Sequence, residues 1–492
     1  MVMNAVVLPV LALCVAITAI LALAPSKRYV VLRRLGFTRA PGLAATSTLE
    51  IRPFSKPLAS TTSDLATAFP PSQRDQLKAL APTLPSAEKR ALGSLSFTQE
   101  TFERSLLRLE DDYRNADDSK YVFSGFSIRE IKALGEFPDY SVLSGVPMPN
   151  PYPAFDINRA KPRPYRPFRW PYHQTMSLTK LEPDWWIELE STYTERIRQR
   201  KEIYEKHGSA VLQWLPGSEL ACKELLEMVI QFVCARYPQY FTLSEDNLWL
   251  ENKILGIRTN IREKHPFLVL LDHIPEDFAI MLRDPETGYY IFRAGMIFSS
   301  LGWNVGSKIG LKLHEIHQPI PDYKEKMQFS MDRYFSKMPT DKPIQRGSWG
   351  LEVDEPLYMP PGDAHEAHRG VQGRDVTRER ARLRVDWQTL RRLPLSGAVV
   401  FNFKALFTAL EELRDEPHVP ALLLRVLRDA KRDLMAYKNT WHTEHVVLPA
   451  LEDYARAQVA AGLVEPGREP RTLDESPWFP GWEAKWHAQQ GF

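Results

Sequence analysis

The sequence predicts an α+β fold, a mainly antiparallel sheet under a helical cover, preceded by one N-terminal transmembrane helix. Three observations carry it. Apolar and aromatic residues recur at helical spacing from Leu181 to Gly208 and from Leu220 to Pro238. The period then changes to short β-branched and aromatic runs, NLWLENKILGI, PFLVLLDHI, FAIMLRD and YYIFRAGMIFS, which read as strands. Finally, Ala5 to Ala24 is a run of twenty residues without a charge. At about 1.5 Å per residue it matches a hydrocarbon core of about 30 Å.

Element by element, the third and fourth runs are joined by Asp284-Pro285-Glu286-Thr287-Gly288, which is hairpin chemistry. A helix is expected around Lys324 to Lys337, and AVVFNFK (Ala398 to Lys404) reads as a returning strand. Helices over Val419 to Tyr437 and His442 to Leu463 close the body. The domain reading is an anchor at 1–27, a tether with short helices at 28–144, a main domain at 145–464 and a tail at 465–492. Pro41 to Ser96 mixes Pro, Ser, Thr and Ala with little periodicity, as a tether does. Gly145 to Leu178 is also rich in Pro, but aromatic residues are threaded through it, so it is expected to lie extended on the body and bury its rings.

No basic residue precedes the apolar run, whereas Lys27, Arg28, Arg33, Arg34 and Arg39 follow it. A single-pass anchor with the main domain in the cytosol, on the endoplasmic reticulum membrane, is therefore expected; a cleaved signal peptide is the alternative. Among 492 residues, 63 Lys and Arg against 61 Asp and Glu leave a net charge of +2, which argues against a nucleic-acid partner bound through bulk charge. Three Cys are too few for a disulfide scaffold, a Cys-rich zinc module or an iron–sulfur cluster. Cys222 and Cys234 read as core residues.

Common catalytic signatures are absent. No G-x-G-x-x-G follows a strand, and G-x-S-x-G, C-x-x-C and H-E-x-x-H do not occur. GWNVGSKIG is one residue short of a phosphate loop, and Lys308 is followed by Ile309 rather than Ser or Thr. Three H-x-x-H pairs stand out, His314/His317, His365/His368 and His442/His445, which could hold a metal on one helix face or lie solvated on the surface. In LKLHEIHQPIPDY, His317 falls at a helix end that Gln-Pro-Ile-Pro terminates. An imidazole at so rigid a junction suits an axial haem ligand, or simply caps the helix.

Taken in order, Glu276-Asp277, Trp303, Lys308 and Gly310, Ile316 to Pro321, Arg346 and Trp349, and Arg384 through Pro394 resemble the catalytic, haem-binding subunit of the haem-dependent oxidative N-demethylase family. Fungal relatives are called the HRQ family. The resemblance covers about Tyr165 to Leu463. Bacterial members carry Glu-Arg-Gln where this chain has Asp386-Trp387-Gln388, and Pro before Trp where it has Gly302.

The resemblance implies a PAS-like sheet enclosing haem b and a monooxygenase-type reaction on an amine or related small molecule, with loss of formaldehyde on N-demethylation. It makes His317 the iron ligand, with Arg346 and Trp349 as cofactor-binding residues and Arg346 on a propionate. Arg384, Asp386 and Gln388 become the catalytic candidates, and Glu276 and Asp277 the candidates for neutralising a substrate amine. Each has a plainer alternative: Arg384 on a surface helix, Trp349 in the core, Glu276 and Asp277 capping a turn. Electrons would come from an NAD(P)H-dependent flavin or iron–sulfur reductase, since the chain has no dinucleotide fingerprint. A non-catalytic PAS-like sensor binding haem or a small molecule is the alternative function.

Overall fold

The structure is a computed structural model and describes residues 106–173 and 175–491, together with Pro70. The apolar run Ala5–Ala24 lies outside the described residues. Among those described, no helix is long and apolar enough to cross a membrane.

Two short helices come first, α1 (Ile128–Leu134) and α2 (Tyr140–Ser144). Ser127 and Glu130 form a capping box on α1, and Asp139 accepts from the first turn of α2, which is how five to seven residues hold a helix. Both belong to the segment read as tether, and their apolar side chains Ile128, Ile131 and Tyr140 enter the main core. The stretch from Gly145 is largely extended and buries Phe155, Tyr165 and Phe168, as its threaded rings suggest.

After β1 (Thr179–Lys180), Pro183 opens a three-residue turn of 3-10 helix, so the helical pattern begins in earnest only at α3 (Tyr193–His207). Then come β2 (Leu212–Trp214), α4 (Glu219–Arg236), β3 (Phe241–Leu243), β4 (Trp249–Asn252) and β5 (Ile257–Asn260). The run PFLVLLDHI, read as a strand, is helix α5 (Pro266–His273). Pro266 occupies its first turn and the His265 side chain accepts from Phe267 N–H, so local capping decides an apolar run whose period is ambiguous.

Next are β6 (Asp277–Arg283) and β7 (Tyr290–Met296), then α6 (Leu313–Ile316), α7 (Tyr323–Lys326) and α8 (Gln328–Lys337). The β6–β7 hairpin closes as expected: Gly288 has φ +75° and donates to the Asp284 carbonyl at 2.8 Å. Two long strands follow, β8 (Ile344–Val353) and β9 (Ala381–Arg392), then β10 (Val399–Ala409). Helices α9 (Val419–Asp429), α10 (Arg432–Lys438), α11 (Trp441–Ala460) and α12 (Trp482–Gln490) complete the chain. Leu473 and Phe479 of the C-terminal segment also reach the main core.

Seven strands pair antiparallel in the order β1-β8-β9-β10-β6-β7-β2, and β3-β4-β5 form a second small sheet. The large sheet has two different faces. Phe278, Ile280, Val385, Trp387 and Val400 point into the main core with α4. Ala279, Met281, Leu390, Val399 and Phe401 point the other way, into a second apolar cluster with Leu313, Tyr323, Met331 and Phe335 of α6–α8.

Candidate functional site

The candidate site lies on the second face of the sheet. Across the β8–β9 pair, Arg346 stands opposite Gln388, Ser348 opposite Asp386 and Gly350 opposite Arg384; Phe403 of β10 adjoins Gln388. Because side chains alternate along a strand, residues 384, 386, 388 and 390 share a face with Leu390's apolar cluster.

His317 approaches the same cluster from the helical side. It caps the C-terminus of α6, and its Nδ1 donates to the Leu313 carbonyl at 2.7 Å. A carbonyl only accepts, so Nδ1 carries the proton and Nε2 keeps its lone pair. Among the described residues no hydrogen bond reaches Nε2. The ring stacks on Tyr323, with centroids 5.4 Å apart and planes at 16°. Burial pushes the His317 pKa down to about 4, against the pull of the Leu313 bond and helped by the nearby Lys308 and Arg346 cations. At neutral pH this is an uncharged imidazole with one nitrogen unused.

Around it gather cations with little to neutralise them. Burial lowers the Arg346 pKa; its charge neighbours are the phenols of Tyr165, Tyr437 and Tyr172 and the Arg169 guanidinium. Arg346 Nε is buried without a hydrogen-bond partner. The Lys308 ammonium lies 4.1 Å from the Trp303 ring centre and burial brings its pKa to about 8. Lys438, also brought to about 8 by burial, donates to Ser348 Oγ and the Trp349 carbonyl, both at 2.9 Å, with Asp386 and Arg346 as charge neighbours.

The other expected site residues divide. Arg384 is 2% exposed on strand β9, not on a surface helix, and its donors are taken by Asp386 Oδ1 at 2.9 Å, the Pro356 carbonyl at 2.8 Å and the Ser299 carbonyl. Trp349 lies on the opposite face, in the main core against Phe168 and Tyr172. Glu276 is fully buried among the Glu188 N–H, Asn402 Nδ2 and Lys404, and burial raises its pKa to about 7. Asp277 pairs with Arg200 and accepts from Phe298 N–H at 3.0 Å and Ser299 N–H at 2.8 Å. Glu276 is thus tied to the Glu188 backbone and to Asn402, whereas Asp277 holds the turn after β7 and stands opposite Phe403, which on its other side adjoins Gln388.

Lys438, Tyr437 and Tyr323 were missed. Tyr323 closes the PIPDY motif and Lys308 lies in the same stretch as Trp303, but α10 lies far along the chain and nothing in its sequence points to β8. Of the remaining H-x-x-H pairs, His442 Nδ1 and His445 Nε2 contact the backbone carbonyls of Asn439 and Gly373, while the His365 and His368 rings lie 5.0 Å apart. Among the described residues no group of three or more His, Cys, Asp or Glu could hold a metal. Cys222 and Cys234 are free, and burial raises both thiols to about 12. A cavity of about 670 Å³ beside Trp170, His418 and Pro470 shares no residue with the His317 cluster; there Arg468 is already paired with Asp474 at 3.2 Å.

The His317 imidazole thus leaves one nitrogen without a hydrogen bond among the described residues, beside an apolar cluster and the buried cations Lys308 and Arg346. The family described as haem-dependent oxidative N-demethylase, alpha subunit-like matches residues 177–448, more than half of the chain. The protein belongs to this family. Its residues fit haem: Nε2 of His317 is free while Nδ1 is fixed by a carbonyl, the arrangement that orients ligating histidines. The orphaned Arg346 Nε suits a carboxylate of the porphyrin edge.

The two departures from the bacterial pattern now have structural readings. Trp387 faces the main core, away from Asp386 and Gln388, and donates to Gln345 Oε1 at 3.1 Å. Its exchange for Arg therefore does not remove a group from the His317 side of the sheet. Gly302 has φ +75° and donates its N–H to the Met359 carbonyl at 2.7 Å. Proline could do neither, so this loop takes its own path into Trp303.

Proposed function

We propose that the protein is a haem b enzyme that oxidises an N-methylated amine or a related small molecule on the His317 face of a PAS-like sheet, releasing formaldehyde when a methyl group is lost. The observation that carries this reading is the His317 imidazole, tied at Nδ1 to Leu313 and unpartnered at Nε2. Haem, when bound, supplies dioxygen reduction and substrate oxidation. His317 Nε2 would hold its iron. Arg346, with Lys308 and Lys438, would meet its propionates. Asp386 and Gln388 face the same space, Asp386 as the acid for a cationic amine and Gln388 as a hydrogen-bonding group. Arg384, its donors spent on Asp386, Pro356 and Ser299, holds Asp386 in place and is a positioning residue. Apolar side chains from α6–α8 and from β10 exclude water.

A separate NAD(P)H-dependent flavin or iron–sulfur reductase supplies electrons in this reading. A cytosol-facing anchor on the endoplasmic reticulum would place the body beside such donors. The test is formaldehyde release from N-methylated amines by the haem-loaded chain with a membrane flavin reductase and NADPH. Substrate-dependent turnover is expected with the reductase and negligible NADPH oxidation without it. A full haem spectrum without turnover on any amine would favour the sensor reading.

A further inference from the structure

On the face of β9 opposite that of Gln388, Arg391 is 7% exposed, and its guanidinium has no acceptor among the described residues. Its Nε is buried without a hydrogen-bond partner, and among the described residues none of its N–H groups meets an oxygen. The nearest compensation is the Trp186 ring, whose centre lies 4.1 Å from the guanidinium carbon. Burial alone shifts the Arg391 pKa, down to about 10, with no carboxylate acting on it. Trp186 is 1% exposed, and its indole Nε1 is a second buried donor without a partner.

Both residues line one small, half-open pocket, whose other walls are Tyr140, the Pro147–Pro149 segment and Gln231. The polar groups of the other lining residues are spent. Tyr140 donates to Glu227 at 2.6 Å, and Gln231 donates to the Pro138 carbonyl at 2.9 Å. Glu227 itself is paired with Lys223 at 2.7 Å. The cavity leaves about 20 Å³ for the centre of a water-sized sphere, enough for one or two small ligands and too little for a cofactor or a peptide.

A buried charge left unpaired is destabilising, and the little water that this pocket admits offsets only part of that cost. We propose that this cavity binds a small monovalent anion, a halide or a compact carboxylate such as formate, held by Arg391 and the Trp186 indole N–H. The anion would clasp the Pro147–Pro149 segment and the α2–α4 layer to β9. This site is independent of haem and of the reaction.

The test uses the full chain, melted in sodium gluconate, whose anion is too large for the cavity, and in mixtures replacing it with chloride, bromide or formate at constant ionic strength. A saturable rise in melting temperature is expected for the small anions; whether chloride or formate saturates at lower concentration tells which source fills the site. Arg391→Met should abolish the response, and Trp186→Phe, which keeps the ring, should weaken the anion's affinity several-fold. In a bromide-soaked crystal an anomalous peak is expected beside Arg391. Identical melting in all salts, a response retained in Arg391→Met, or a cavity holding only water would overturn the proposal.

Discussion

Arg346 and Gln388 stand directly opposite each other across β8 and β9, on the sheet face that His317 approaches from the helices. Arg346 reaches that face with a buried Nε that nothing among the described residues satisfies. If a cofactor carboxylate satisfies it, Arg346→Leu should weaken haem binding by about 10- to 100-fold, the worth of a charge-assisted hydrogen bond of about 1.5–3 kcal/mol. Arg346→Lys should recover only part, lacking the fork. Haem titration followed by absorbance measures both, and equal affinities in Arg346→Leu and wild type would remove Arg346 from the site.

Restoring the bacterial residue at position 387 tests the two-faced sheet. Trp387→Arg puts a charge into the main core, where Trp387 is 2% exposed, and should cost at least about 3 kcal/mol in urea unfolding. Trp387→Phe should cost about 1–2 kcal/mol and leave haem binding unchanged. A stable Trp387→Arg protein with altered turnover would place this position in the site after all.

How much of this was legible beforehand follows from residue chemistry. β6, β7 and β10 could be read because they are runs of apolar residues bounded by turn formers, and the Asp284–Gly288 turn fixed the pairing of β6 with β7. β8 and β9 escaped notice as strands because Arg346, Arg384 and Asp386 interrupt their apolar pattern; those charges alternate onto the functional face. The same alternation sends Trp349 to the core, so a three-residue spacing that would unite two residues on a helix separates them on a strand. His317 was legible because two prolines fix the helix end. Lys438 was not, because only the tertiary fold brings α10 to Ser348.

Acid sensitivity should arise at His273, far in function from the haem site. His273 is 1% exposed; its Nδ1 accepts from Asn252 Nδ2 at 3.3 Å, and its Nε2 donates to Thr259 Oγ1 at 2.8 Å. Asn252 Oδ1 accepts from Ile254 N–H at 3.1 Å, which fixes that amide's orientation. A proton on Nδ1 would set donor against donor, and burial holds the pKa down at about 4 against an ordinary 6.5. Between those values the unfolded chain binds the proton and the folded chain does not. The stability contribution is thus complete above pH 6.5 and lost as pH falls toward 4, by at most about 1.4 kcal/mol per pH unit. An NMR titration of the His273 ring checks this, and a midpoint near 6.5 would contradict it.

The haem spectrum of the purified chain, beside His317→Ala and His314→Ala, is the most direct measurement. Wild type and His314→Ala are expected to show a full Soret band, whereas His317→Ala should lose haem or shift its spectrum while circular dichroism shows the fold retained. An unchanged Soret band and unchanged ligand-field bands in His317→Ala would contradict the assignment of His317 as the iron ligand.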